Sequence, residues 1–171
     1  MRVYAYGYLG VVAAGMLMVG CGDSAETGGT GGAGGTGGAG GAGGVVCPEG
    51  EVECDEVCIP DFEPTLTDLQ TNVFDQTCAF SACHDADAPA ANLELTSVTV
   101  SADNLIDVPS IQVPGRARVV PGEVESSYLI NKIRGVDIAP GTGLMPLGGP
   151  PLCEVRMLAV EEWVAAGAPI D

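Results

Sequence analysis

The sequence predicts an all-α domain of about three helices with long irregular loops, preceded by a cysteine-rich segment and a disordered glycine-rich tether. Three observations predict this architecture. Apolar residues recur at helical spacing in three stretches after residue 64, six of the seven cysteines follow residue 44, and glycine dominates residues 28–44. The expected segments are an export signal (1–20), a flexible linker (21–44), a short cysteine-rich segment (45–64) and a folded domain (65–171).

The first twenty residues predict export to the cell envelope. Arg2 is followed by an almost wholly apolar run, which ends in "LMVGC" at Cys21. This ending resembles a bacterial lipoprotein signal, which implies cleavage before Cys21 and lipid on its sulfur. A membrane-spanning anchor is the alternative. Gly22 after Cys21 favours the outer membrane, so we expect a lipid-anchored protein on the periplasmic side or at the cell surface.

The glycine-rich stretch from residue 22 to residue 44 predicts a flexible tether. Glycine has no side chain to bury and loses the most backbone entropy on folding. A coil of this length has an end-to-end distance of roughly 25–30 Å. The tether would therefore hold the folded domain away from the membrane surface.

The charge balance excludes one class of partner. The chain has 23 acidic and six basic residues, a net charge of −17, and cleavage before Cys21 would also remove Arg2. Such a chain is not expected to bind nucleic acid. The acidic surface is expected to keep the exported domain soluble. A basic redox protein is a partner that is compatible with this charge.

The cysteines predict an oxidising compartment. Cys47, Cys54 and Cys58 lie within twelve residues that show no helical or strand period. We expect disulfides here, with a zinc site as the alternative. If Cys21 carries lipid and Cys78 and Cys83 hold a cofactor or each other, full pairing of the remaining four cysteines requires one bridge inside this segment and one long bridge to Cys153.

The first predicted helix begins near a capping-box pattern at Thr67 and Gln70, and it leads into Cys78. Two weaker stretches follow it. "ANLELTSVTV" alternates in part and predicts short extended pieces, and "ARVVPG" predicts an extended run that Pro121 stops.

Two further helices are predicted near the C-terminus. "ESSYLINKIRG" has an apolar stripe, and Gly135 is placed to close the helix. The last helix, in "PLCEVRMLAVEEWVAAGAP", predicts a buried Trp163 and an end at Gly167. Its predicted face consists of Val155, Leu158, Ala159, Glu162 and Trp163.

The stretch "CAFSACH", Cys78 to His84, contains the chain's only histidine. Covalent haem attachment needs two cysteine sulfurs and a histidine directly after the second, usually as C-x-x-C-H. Here two extra residues separate the cysteines, while Cys83 and His84 keep the usual register. The alternative is a small disulfide loop with a solvated histidine.

A second axial ligand is offered by "GTGLMPLGGPPL", where Met145 lies in an aperiodic loop. The other methionine of this domain, Met157, lies in a helical pattern and is expected to pack in the core.

From Leu66 to Asp171 the chain resembles the exported cytochrome c-like domains of planctomycetes and myxobacteria, in the mono-haem c-type cytochrome family. Five segments carry the resemblance in order: "CAFSACH", "ANLELTS", "RVVPGEVESSYLINKIRG", "GLMPLGGPPL" and "EEWVAAGAP". The resemblance implies an all-α cytochrome c fold that binds haem c. It places haem attachment on Cys78 and Cys83, the proximal ligand on His84 and the distal ligand on Met145.

These expectations favour a membrane-tethered electron carrier that is not an enzyme, since no catalytic constellation is evident in the sequence. Two alternatives stay open. One is a haem-free, disulfide-stapled surface lipoprotein that acts as a binding or structural module. The other is a copper site built from His84, Met145 and a thiolate.

Overall fold

The computed structural model describes residues 45–171. The predicted signal peptide, the lipidated Cys21 and the glycine-rich linker lie outside the described residues. The described part consists of a β-hairpin followed by four helical segments. No helix within residues 45–171 has both the length and the apolar character that crossing a membrane requires.

The hairpin shows that the all-α prediction is wrong. Strands β1 (Glu51–Cys54) and β2 (Val57–Pro60) pair antiparallel, with Val52 opposite Ile59 and Cys54 opposite Val57. Asp55 and Glu56 form the turn, and both have positive φ. Such two-residue turns usually contain glycine or asparagine, so the Asp-Glu pair gave little signal. The alternation of Glu51, Val52, Glu53 and Cys54 was a strand pattern that the sequence analysis missed.

The first helical segment leads into the Cys78 loop, as predicted. It consists of α1 (Leu66–Leu69), a π-helical turn (Gln70–Phe74) and α2 (Asp75–Thr77). The N-cap is Thr65, two residues before the predicted Thr67. Its hydroxyl accepts a hydrogen bond of 3.1 Å from the Asp68 N–H.

One helix was not predicted from the sequence: α3 (Val98–Leu105) begins in the last three residues of the stretch for which extended pieces were predicted. Its N-cap is Ser97, whose side chain accepts from the Val100 N–H. Ser101, Ala102 and Leu105 are its buried residues. Their helical spacing outweighs the β-branched residues of the first turn. The extended prediction is therefore wrong for residues 98–100, whereas Leu93 and Ser97 do have extended backbone angles. The predicted extended run at "ARVVPG" forms only isolated bridges, at Ala117 and Val119.

The two C-terminal helices were predicted correctly in place and end. Helix α4 (Tyr128–Arg134) stops at Gly135, which is left-handed with φ of 72°. Helix α5 (Glu154–Ala165) is followed by Gly167, which also has positive φ. Short 3₁₀ turns lie at Ala90–Asn92 and Val124–Ser126.

The core is built around Trp163, which is fully buried and donates a hydrogen bond of 3.0 Å to the Pro169 carbonyl. It belongs to an apolar cluster that joins α1, α3 and α5, with Leu66, Leu69, Val73, Phe74, Leu105, Val119, Val160 and Val164. The predicted face of α5 was partly wrong: Val160 and Val164 are buried, while Leu158 is 42% exposed.

Candidate functional site

The Cys78–His84 loop is closed by its own backbone. The Phe74 carbonyl accepts hydrogen bonds of 2.8 Å from both Cys78 and Ala79, which ends α2. The His84 N–H then donates to the Cys78 carbonyl at 3.1 Å. Most of the four-residue spacer is exposed, so the extra residues lie outside and the backbones of Cys78 and His84 stay adjacent.

His84 is 8% exposed and held in one orientation. Its Nδ1 lies 2.8 Å from the Leu93 carbonyl, which can only accept, so Nδ1 carries the proton. Burial lowers the pKa of His84, and the positive charges of Arg118 and Lys132 lower it further. The imidazole is therefore neutral near pH 7 and keeps a lone pair on Nε2. A ring nitrogen bonded to a carbonyl, with the other nitrogen available, is the usual arrangement of a metal-ligating histidine.

A cavity of about 1010 Å³ lies beside this histidine. Cys78, Cys83, His84 and Met145 all line it, so the structure brings together the four predicted cofactor residues. Most other lining side chains are apolar, among them Val73, Phe74, Leu93, Leu105, Leu129 and Ile133. Its volume is at the upper end of the roughly 300–1,000 Å³ of small-molecule pockets, which suits a large apolar ligand.

Cys78 and Cys83 are free thiols. Cys83 is exposed, whereas Cys78 is half-buried and burial raises the pKa of its thiol. The bridge between these cysteines that the alternative reading requires is not formed. Both sulfurs are thus present at the cavity in the reduced state that thioether attachment needs.

The other four cysteines of the described chain form the two predicted kinds of bridge. Cys47 pairs with Cys58 inside the cysteine-rich segment, and Cys54 pairs with Cys153 across 99 residues of sequence. The disulfide prediction is confirmed, and it leaves no thiolates for the alternative zinc site. Cys153 is also the N-cap residue of α5 and makes no side-chain cap hydrogen bond there, as expected for a cysteine retained for bridging.

The Met145 loop is fastened to α4 by one residue. The Met145 N–H donates to the Lys132 carbonyl at 2.8 Å, and the Lys132 ammonium donates to the Gly143 carbonyl. The loop is therefore held at Lys132 of α4, and α4 packs against α5. Met157, in contrast, packs against the core and does not line the cavity, as predicted.

The sequence analysis missed two groups of lining residues. The hairpin contributes Val57 and Ile59 to the cavity wall, next to the Cys54–Cys153 bridge. Three cations, Arg118, Lys132 and Arg156, also line the cavity. Residues 45–171 contain only five basic residues, and three of them line this cavity. Their scarcity was the signal in the sequence that could have marked them as functional.

No protein-family model, curated protein or solved structure matches this chain.

The residues of the cavity fit haem on their own chemistry. Within residues 45–171, no group of three or more His, Cys, Asp or Glu side chains is arranged to hold a bare metal ion. The cavity instead offers one imidazole and one thioether, with apolar walls around them. The buried Nε of Arg156 has no hydrogen-bond partner in the described chain, which suits a ligand with acceptor groups.

Proposed function

We propose that this protein is a lipid-anchored electron carrier that binds one haem, with attachment through Cys78 and Cys83 and axial ligation by His84 and Met145. One observation carries the proposal: the two free thiols, the neutral imidazole and the loop methionine all line the same apolar cavity. The resemblance to exported cytochrome c-like domains supports the same assignment from the sequence.

The cofactor would supply one-electron exchange at its iron. The chain's own contribution is to hold the ligands and limit the access of water. Leu93 fixes the His84 ring, and Lys132 fixes the loop that contains Met145. A haem held by both His84 and Met145 would favour electron transfer over catalysis at its iron.

Carbon monoxide binding tests the axial assignment. The reduced wild-type protein should bind it poorly, because Met145 occupies the distal position. Met145→Leu should keep the haem, bind carbon monoxide readily and have a lower reduction potential. Met157→Leu makes the same chemical change outside the cavity and should leave both properties unchanged. Equal carbon monoxide binding by the wild type and Met145→Leu would remove Met145 from the site.

The membrane tether is the second part of the proposal, and its support is the "LMVGC" pattern before a glycine-rich stretch. Cys21→Ser removes the lipid-accepting sulfur. The variant should accumulate unprocessed or leave the membrane fraction, whereas wild type should stay in it. Normal processing and membrane retention of Cys21→Ser would contradict lipidation without affecting the haem assignment.

A further inference from the structure

The cavity wall contains both reduced and oxidised sulfur. Cys78 and Cys83 line the cavity as free thiols, and Cys54 and Cys153 line it as a disulfide bridge. Thiols and a disulfide are the two reactants of thiol–disulfide exchange, in which a thiolate attacks one sulfur of a bridge and displaces the other. The folded chain therefore brings both reactants to the same cavity.

The Cys78 thiol lies towards the end of α5 at which the bridge is attached. Burial raises the pKa of this thiol, and the positive charge of Arg156 acts in the opposite direction, so the guanidinium lies near the sulfur. Arg156 is three residues after Cys153, and residues three apart on a helix are neighbours on one face. Strand β1, which ends at Cys54, also packs against α5. The free thiol and the bridge thus meet at the same end of this helix.

The bridge has one accessible sulfur and one favourable leaving group. Cys54 is half-buried, whereas Cys153 is only 5% exposed. Attack at Cys54 displaces the sulfur of Cys153, which is the N-cap residue of α5. The N-terminus of a helix has free backbone N–H groups and the positive end of the helix dipole, and both stabilise negative charge. Since a stabilised thiolate leaves faster, the fold favours attack at Cys54.

We infer that Cys78 and Cys83 exchange with the Cys54–Cys153 bridge in the haem-free chain. In the first step the Cys78 thiolate bonds to the sulfur of Cys54, the bridge breaks, and its electron pair passes to Cys153. In the second step the Cys83 thiolate bonds to Cys78 and displaces Cys54. The two protons lost by the attacking thiols pass through solvent to the two displaced sulfurs. One disulfide and two thiols are present before and after, so no oxidant or reductant is consumed.

The exchange links the attachment of the hairpin to the state of the two cavity thiols. It releases β1 from α5, and the hairpin residues Val57 and Ile59 belong to the cavity wall. It also joins Cys78 to Cys83, after which neither sulfur is free to form a thioether bond. The exchange itself does not depend on the proposed function, and only its effect on haem attachment does.

The test uses the full chain, produced without haem and with Cys21→Ser, so that only the six cysteines after residue 44 remain. Adding Cys83→Ser prevents the second step and should trap a chain in which Cys54 is bonded to Cys78 and Cys153 is free. The sample is incubated at pH 8 without added thiol, quenched with acid and labelled with N-ethylmaleimide. Peptide mapping under non-reducing conditions should find the mixed disulfide. Cys78→Ser in place of Cys83→Ser should lose it, and a bond from Cys54 to Cys83 in that variant would overturn the assignment of the attacking thiol.

The Cys47–Cys58 bridge is the matched control, because neither of its cysteines lines the cavity. Products that join Cys78 to this control bridge should be at least about tenfold rarer than the mixed disulfide with Cys54. The reason is that sulfurs which do not share the cavity have a low effective concentration for each other.

The chain without a substitution at either thiol gives a second measurement that does not depend on the folding of the trapping variant. It should yield a fraction of molecules in which Cys78 is bonded to Cys83 and both Cys54 and Cys153 are labelled. Absence of both products from the folded samples would overturn the inference. Equal exchange with the control bridge, or exchange that occurs only in urea, would also overturn it, because the reaction would then pass through the unfolded chain. None of these results bears on haem binding, which is measured separately.

Discussion

The imidazole of His84, which lines the cavity, donates from Nδ1 to the backbone carbonyl of Leu93 at 2.8 Å. The two residues are nine positions apart, and the Leu95 N–H donates in turn to the His84 carbonyl at 2.9 Å. Both the ring and the backbone of His84 are thus tied to the segment that precedes α3. The folded chain itself therefore fixes the orientation of the His84 side chain.

The first prediction concerns this histidine as a ligand. His84→Ala should abolish haem assembly, because the chain has no second histidine to replace it. Haem content per chain, measured after export with c-type maturation machinery, checks this. The far-ultraviolet circular dichroism of the variant should match that of haem-free wild type. Full haem content in His84→Ala would exclude His84 as the proximal ligand.

The second prediction concerns the pH dependence of the haem-free chain. The folded protein depresses the pKa of His84, so the unfolded chain binds more protons once the pH falls below about 6.5. The free energy of unfolding should therefore fall as the pH is lowered from 7.5 towards 5.5. Urea denaturation at both values measures it, and His84→Gln should show a smaller change. An identical pH dependence in the two proteins would refute the assignment to His84.

The third prediction concerns the reactivity of the two free thiols. Burial raises the pKa of Cys78, so it has less thiolate than an ordinary cysteine at pH 8, whereas Cys83 is exposed. Iodoacetamide should alkylate Cys83 several times faster than Cys78 in the haem-free protein, as followed by peptide mass spectrometry. The difference should disappear in urea. Faster labelling of Cys78 in the folded chain would contradict the arrangement of the loop.

The fourth prediction compares the two disulfides. Replacing both Cys54 and Cys153 with alanine should cost up to about 4–5 kcal/mol, because the bridge closes a long loop in the unfolded chain. The Cys47–Cys58 bridge closes only a short loop, so replacing both of its cysteines with alanine should cost about 3 kcal/mol. Urea denaturation of the two variants measures both. A smaller loss for the long bridge would show that chain entropy does not govern its contribution.

The elements that the sequence predicted correctly have local signals. Gly135 adopts the left-handed conformation that ends α4, and Trp163 lies on an apolar row of α5. The disulfide pattern followed from counting, because three cysteines in a short segment and one distant cysteine allow one kind of pairing. His84 and Met145 line one cavity, while their assignment as haem ligands stays a prediction.

Some of the missed features depend on contacts that are distant in sequence, whereas the hairpin pairs residues that are close together in the chain. The hairpin turn at Asp55 and Glu56 lacks the residues that usually mark such a turn, and the Cys54–Cys153 bridge joins the hairpin to α5. Which side of α5 is buried is decided by its neighbours, so Val160 is buried and Leu158 is exposed. The cations were missed because Arg118 and Lys132 are separated in sequence and line one cavity only in the folded chain.

The most direct test of the account is the mass and spectrum of the full chain exported with c-type maturation machinery. We expect one haem per chain in a pyridine haemochrome assay, and an intact mass that keeps the haem after acid-acetone extraction. Replacing Cys78 and Cys83 together with alanine should remove that covalently held mass. A wild-type protein with the mass of the bare polypeptide and no Soret absorbance would contradict the central claim.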